Sequence, residues 1–112
     1  MTTFDDREKA AEAHFARDQE MQFRIAARRN RLVGQWAADC MKLTPAEKDA
    51  YAKSVVQADF EEAGDEDVIR KLIGDLTAAG VETDDRQIRA MLAEKTIEAK
   101  LIEARRALLG EA

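Results

Sequence analysis

The 112-residue chain contains one cysteine, one histidine, one proline and five glycines. A lone Cys40 excludes an internal disulfide and a cysteine-based zinc site. So little glycine and proline argues against a sheet protein, whose many turns need them. No apolar run approaches the roughly 18 residues of a membrane span, and the N-terminus is too polar for a signal peptide. A cytoplasmic chain with no direct membrane insertion is therefore expected. Catalytic material is equally scarce. His14 lies in a charge-rich stretch far in sequence from Cys40, and no third group is placed to orient either of them. Gly34, Gly64, Gly74, Gly80 and Gly110 are scattered, so no phosphate-binding glycine loop is formed. Carboxylates are plentiful, but on a helical chain they read as solvated faces. Neither an enzyme nor a metal site is expected. Cys40 reads as a small, inert residue on a helix face, and His14 as an exposed helical residue. With 18 Lys+Arg against 23 Asp+Glu, the net charge of −5 gives no general pull toward nucleic acid or anionic lipid.

What is present is a helical mixture, 46% hydrophobic and 37% charged. Thr44-Pro45-Ala46-Glu47 is a capping box with proline in the first turn. The helix after it carries Tyr51, Ala52, Val55, Val56 and Phe60 on one face and should stop near Glu62, with Gly64 supplying a left-handed residue beyond the end. Asp65-Glu66-Asp67 opens a third helix, its acids favourable against the positive end of the dipole. Its stripe is Val68, Ile69, Leu72, Ile73 and Leu76, and Gly80 ends it. Thr83 is expected to cap a fourth helix running to about Leu109. Its inward positions are Ile88, Met91, Leu92, Ala99 and Ile102, with Ile97, Leu101 and Leu108 on a neighbouring seam.

The first helix divides in two. From Ile25 onward, Leu32, Val33, Trp36, Cys40 and Met41 give a dense stripe that must be buried. Residues 1–20 hold only Met1, Phe4 and Phe15 as large apolar side chains, among six acids and three bases. Two aromatics three turns apart cannot offset the cost of ordering so long a helix, since helices are held mainly by packing of an apolar face. The segment either frays or is completed by a partner. Residues 21–42 carry five bases and one acid, while 43–63 and 64–82 each carry five acids and two bases. Arg17, Arg24, Arg28 and Arg31 fall along one side of a helix. This strip either complements the acidic second and third helices or receives an anion or acidic partner in fork geometry.

Three blocks carry a family resemblance: MTTFDDRE (Met1–Glu8), ARRNRLVGQWAA (Ala27–Ala38) and DFEEAGDEDVIRKL (Asp59–Leu72). In this order they resemble the zeta-type inhibitor subunits of the F-type ATP synthase of alphaproteobacteria, with Ala63 standing where that pattern has proline. The resemblance implies a four-helix bundle that binds the catalytic head of the synthase (its alpha, beta and gamma subunits) and blocks ATP hydrolysis. It further implies that the N-terminal segment inserts at a catalytic alpha–beta interface beside the rotor. The inhibitory positions would be Phe4, Asp5, Asp6, Arg7 and Glu8, with Phe15 in the following turns. It implies, too, ADP or ATP as a regulatory ligand with no required cofactor. The basic block Arg28, Arg29, Asn30 and Arg31 with Trp36 is the expected nucleotide site, on charge and ring stacking alone.

The combined expectation is an all-α chain: a single four-helix bundle over residues 22–112, with a long first helix whose N-terminal part, residues 1–21, is a mobile inhibitory arm. It would be a monomer when free, peripherally associated with the membrane-bound synthase, and would have no nucleic-acid partner. The rival is a non-catalytic helical adaptor that dimerises through the Phe4/Phe15 stripe.

Overall fold

The computed structural model describes the backbone of residues 3–61 and 64–110, and within these the side chains of 6–10, 12, 17–59 and 64–110. All regular structure among them is helical: α1 (Thr3–Cys40), α2 (Pro45–Glu61), α3 (Glu66–Ala78) and α4 (Asp85–Leu108). The four helices pack as a bundle. α1 lies along both α2 and α4, and the short α3 closes the far side, touching all three.

Each helix boundary has a local cause. At α2 the capping box forms as expected. Thr44 Oγ1 accepts from the Glu47 N–H at 3.2 Å, and Glu47 Oε1 accepts from the Thr44 N–H at 2.8 Å. α1 ends with the Leu43 N–H on the Ala38 carbonyl and the Lys42 N–H on that of Asp39. The same paired bonds end α3, from Val81 to Leu76 and from Gly80 to Thr77. Gly80 (φ 80°) fills the left-handed position at α3, whereas at α1 a lysine does, Lys42 with φ 59°. Gly64 is left-handed beyond α2 as expected, at φ 92°, and Ala63 lies outside the described residues.

One capping expectation needs correction. α4 is capped by Asp84, whose carboxylate accepts from the Gln87 N–H at 2.8 Å, while the Thr83 hydroxyl turns to the Gln87 side chain. Asp65, which precedes α3, makes no side-chain capping bond; its carboxylate is taken by Arg29 of α1 at 2.9 Å.

The core comprises Val33, Ala37, Val55, Val68, Ile69, Leu72, Leu76, Ile88 and Leu92. Fully burying a leucine or isoleucine stabilises the fold by about 1.5–3 kcal/mol. The α3 stripe is buried as read, apart from Ile73, which is half-buried. On α1 the fully buried residues are Asn30, Val33, Gly34, Ala37 and Ala38. The larger Ile25, Leu32, Trp36, Cys40 and Met41 are only half-buried. Small side chains sit where the helices approach most closely, which pushes the bulky ones to the edge of the contact. Tyr51 and Val56 are half-buried for the same reason beside Ala52 and Val55, and the side chain of Phe60 lies outside the described residues.

The expected second seam on α4 is not a seam. Ile97, Leu101 and Leu108 are 63%, 68% and 87% exposed. α4 half-buries Met91 and Ile102 and buries Ile88, Leu92 and Ala99 as read, together with Glu103. That stripe, spaced 4, 7 and 4, puts the three exposed apolar residues on the opposite side of the helix.

Candidate functional site

α1 is 38 residues long, about 57 Å at 1.5 Å per residue. It runs unbroken through the 21/22 boundary, so the backbone itself marks no division there. Exposure changes along the helix. Residues 6–10, 12 and 17–20 are all exposed, and half-buried positions begin at Met21. The chain measures 64 × 28 × 21 Å with a radius of gyration of 17.5 Å, against roughly 13 Å for a compact domain of this length. The excess length is the leading part of α1. Asp6, Arg7 and Glu8 stand on this exposed stretch, and the side chains of Phe4, Asp5, His14 and Phe15 lie outside the described residues.

Nearer the bundle, arginines of α1 meet carboxylates within α1, on α2, on α4 and just ahead of α3. Arg24 Nη2 is 2.6 Å from Glu20 within α1, Arg31 Nη2 is 3.4 Å from Asp49 of α2, and Arg28 Nε is 3.1 Å from Glu103 of α4. Arg29 bridges Asp65 at 2.9 Å and Asp59 at 4.0 Å, spanning the junction between α2 and α3. Within the strip it is Arg31 that meets the acidic second helix; Arg24 pairs within α1, Arg28 with α4, and the bridge toward α3 comes from Arg29 beside the strip.

Of the five residues expected to hold a nucleotide, two line one cavity. Arg28 and Arg31 line a space of about 300 Å³ with Phe23, Arg24, Ala27, Val56, Glu103 and Arg106. Arg29 belongs to a different hollow, beside Asp65, Ile69 and Arg89. Asn30 is buried, its Oδ1 accepting from both Arg29 Nε and Nη2, with its Nδ2 unpartnered. Trp36 packs against the core cluster. Consecutive residues on a helix point about 100° apart, so a block contiguous in sequence is spread over more than one side of the helix. Four arginines, one aromatic ring and one carboxylate do converge in the cavity of about 300 Å³. Arg106, Phe23 and Glu103 complete it and were not singled out from sequence. The readable signal was Glu103, a charge occupying a position in the apolar stripe of α4.

The remaining features are structural. A shallow cleft of about 700 Å³, lined by Thr77, Gly80, Val81, Glu82, Thr83, Asp84 and Gln87, carries two carboxylates and no cation, so it would repel phosphate. Burial, and secondarily the charge of Asp39, raises the Cys40 thiol above its usual range, which makes it a poor nucleophile. The Tyr51 hydroxyl donates to Asp75 at 2.8 Å, and Lys71 Nζ, 3.0 Å from the same carboxylate, lies 5.0 Å from the centre of the tyrosine ring. Among the described residues no acid, His and Cys cluster is placed to hold a metal ion, and no helix is long and apolar enough to cross a membrane.

A projecting charged helix on a small bundle defines the class as an all-helical bundle protein with a long exposed helical extension. Comparison makes this specific. The chain belongs to the ATPase inhibitor subunit zeta family, whose family model matches residues 1–101. Membership implies inhibition of the F-type ATP synthase and association with it. A structure solved by solution NMR is 44% identical, with a TM-score of 0.65 over 72% of this chain and 92% of that one. None of the curated proteins matches.

Proposed function

We propose that this chain inhibits ATP hydrolysis by inserting its N-terminal segment, residues 1–21, at a catalytic alpha–beta interface beside the rotor of the synthase head. A helix wedged there stops rotation sterically, because the catalytic site can no longer change shape. Phe4 and Phe15 serve as apolar anchors, each contributing about 2 kcal/mol if fully desolvated. Asp5, Asp6, Arg7 and Glu8 supply orientation and on-rate more than affinity. The observation that carries this reading is the run of exposed side chains at 6–10, 12 and 17–20 on a helix that continues past the bundle. Their exposure leaves that stretch available to a partner. The remaining residues form the folded support, and the chain acts as a monomer at the periphery of the membrane-bound synthase.

For ADP or ATP the cavity bounded by Phe23, Arg24, Arg28, Arg31 and Arg106 is the site we favour, in place of the contiguous block. Guanidinium groups hold phosphate oxygens in fork geometry, and Phe23 offers a ring for the base. Occupancy would bear on the root of the arm, since Phe23 and Arg24 stand where it begins.

Deleting residues 1–20 tests the central reading. The thermal midpoint should stay nearly unchanged while inhibition of ATP turnover by an isolated synthase head disappears. A truncated chain that still inhibits overturns it.

A further inference from the structure

We infer that the Arg28–Glu103 pair is a positioning device that fixes the register of α1 against α4, and through it the direction in which the leading part of α1 leaves the bundle. This deepens the reading proposed above and rests on it.

Glu103 is the one charged side chain among the described residues that is buried, at 6% exposure. It occupies the stripe of Ile88, Leu92 and Ala99, where a leucine would fit the pattern. Stability does not account for the acid. Glu103 is withdrawn from water and Arg28 partly so; such desolvation offsets much of what their attraction returns, and well-packed apolar replacements of buried pairs are often neutral or stabilising. What a buried pair supplies is directional constraint. Apolar side chains tolerate sliding and rotation of one helix on another, whereas a carboxylate facing Arg28 Nε at 3.1 Å is satisfied in one register.

The position of the pair turns this constraint into leverage. The cavity brings Phe23 and Arg24 of α1 beside Arg106 of α4, so the two helices run antiparallel here. α4 ends at Leu108, shortly beyond Glu103, while α1 continues from Arg28 back to Thr3. That continuation is about 38 Å long, so a rotation of roughly 10° at the pair would sweep its tip by about 7 Å. A plug aimed at a narrow cleft loses affinity when its direction must be ordered on binding. Arg29, clamped to Asp65 and Asp59, holds the adjacent residue to α2 and α3. Arg28 supplies the constraint toward α4.

The test uses full-length chain with Cys40→Ala and spin labels on cysteines introduced at Ala10 and Glu94, both exposed. Distances are measured without nucleotide. The parent should give a narrow distribution. The double variant Arg28→Met/Glu103→Met should keep or raise the thermal midpoint, at least double the width of the distribution, and weaken inhibition about tenfold. Glu103→Gln, which retains an acceptor for Arg28 Nε, should keep the narrow distribution. A double variant with parental width overturns the proposal, as does one with a broadened distribution and undiminished inhibition. If the parent itself fails to inhibit while the double variant still broadens, the arm reading falls and the positioning role of the pair stands.

Discussion

Gly34 of α1 and Ala52 of α2 lie in backbone contact: a Cβ added to Gly34 would come within 2.9 Å of Ala52 Cα and 3.2 Å of Val55 Cγ2. No flexible side chain can yield at the first of these contacts. The two helices approach so closely because neither residue carries bulk.

Gly34→Ala should therefore destabilise the bundle even though alanine is favoured over glycine in a helix by about 1 kcal/mol. Overpacking of this kind costs about 1–3 kcal/mol, so a net loss in urea unfolding is the expected outcome. Gly74, in the interior of α3, is the control, since a methyl added there would meet nothing within 4 Å. Gly74→Ala should stabilise.

Lys42 gives the opposite sign. It ends α1 in the left-handed conformation that Gly80 adopts at the end of α3, through the same pair of backbone bonds. A non-glycine residue in that conformation costs about 1 kcal/mol, so Lys42→Gly should raise the thermal midpoint. Gly80→Ala should lower it by a comparable amount.

The α2 capping box makes a prediction about acid. The backbone N–H of Thr44, and secondarily its side chain, hold the Glu47 carboxylate below its ordinary value. A folded value below the unfolded one means that the contribution is fully present above the ordinary carboxylate pKa of about 4.3 and disappears as pH falls through the folded value. The difference in thermal midpoint between the parent and Glu47→Gln should accordingly shrink between about pH 5 and pH 2. Thr44→Ala should cost about 1 kcal/mol at neutral pH.

Tyr51, the single tyrosine, allows an alkaline counterpart. Burial first, then the bond to Asp75 and the charge of Asp75, raise its phenol well above the usual range. A raised folded pKa confers stability that is present below the unfolded value of about 10 and is lost as pH climbs beyond it. Ultraviolet absorbance should show no phenolate until the chain unfolds, in one coincident transition. Tyr51→Phe should cost about 1–2 kcal/mol by leaving Asp75 with one partner fewer.

Leu101, expected in a buried seam but 68% exposed, should accept Leu101→Gln with a change in stability within about 0.5 kcal/mol. A loss of about 2 kcal/mol or more in chemical unfolding would restore Leu101 to the neighbouring seam expected from the sequence.

Where helices begin and end was legible because the signals are local. The reciprocal bonds of Thr44 and Glu47 and the left-handed glycines at 64 and 80 depend on residues a few positions apart. Facing was less legible. α3 was read correctly because its apolar residues leave one choice. On α4 the inward reading of Ile88, Leu92 and Ala99 holds and the neighbouring seam does not: Ile97 and Leu101 face out, and Glu103 faces in where bulk would favour an apolar residue. Hydrophobicity could not anticipate that an acid would be matched by Arg28, 75 positions earlier. The same limit governs the candidate site. Arg28 to Arg31 form a conspicuous block in the sequence, yet helical geometry distributes them among different neighbours, and the cavity around Arg28 takes Arg106 from the far end of the chain.

α1 is at once the bundle's longest packing surface and the stem of the segment assigned to the synthase. Fabrication and display are consequently a single cooperative event. A partly melted copy has no rigid stalk to offer, so heating or denaturant should silence the regulator along the same curve that dismantles its core. Conditions that erode the hydrophobic interior would thereby release the brake on the motor without any dedicated signal.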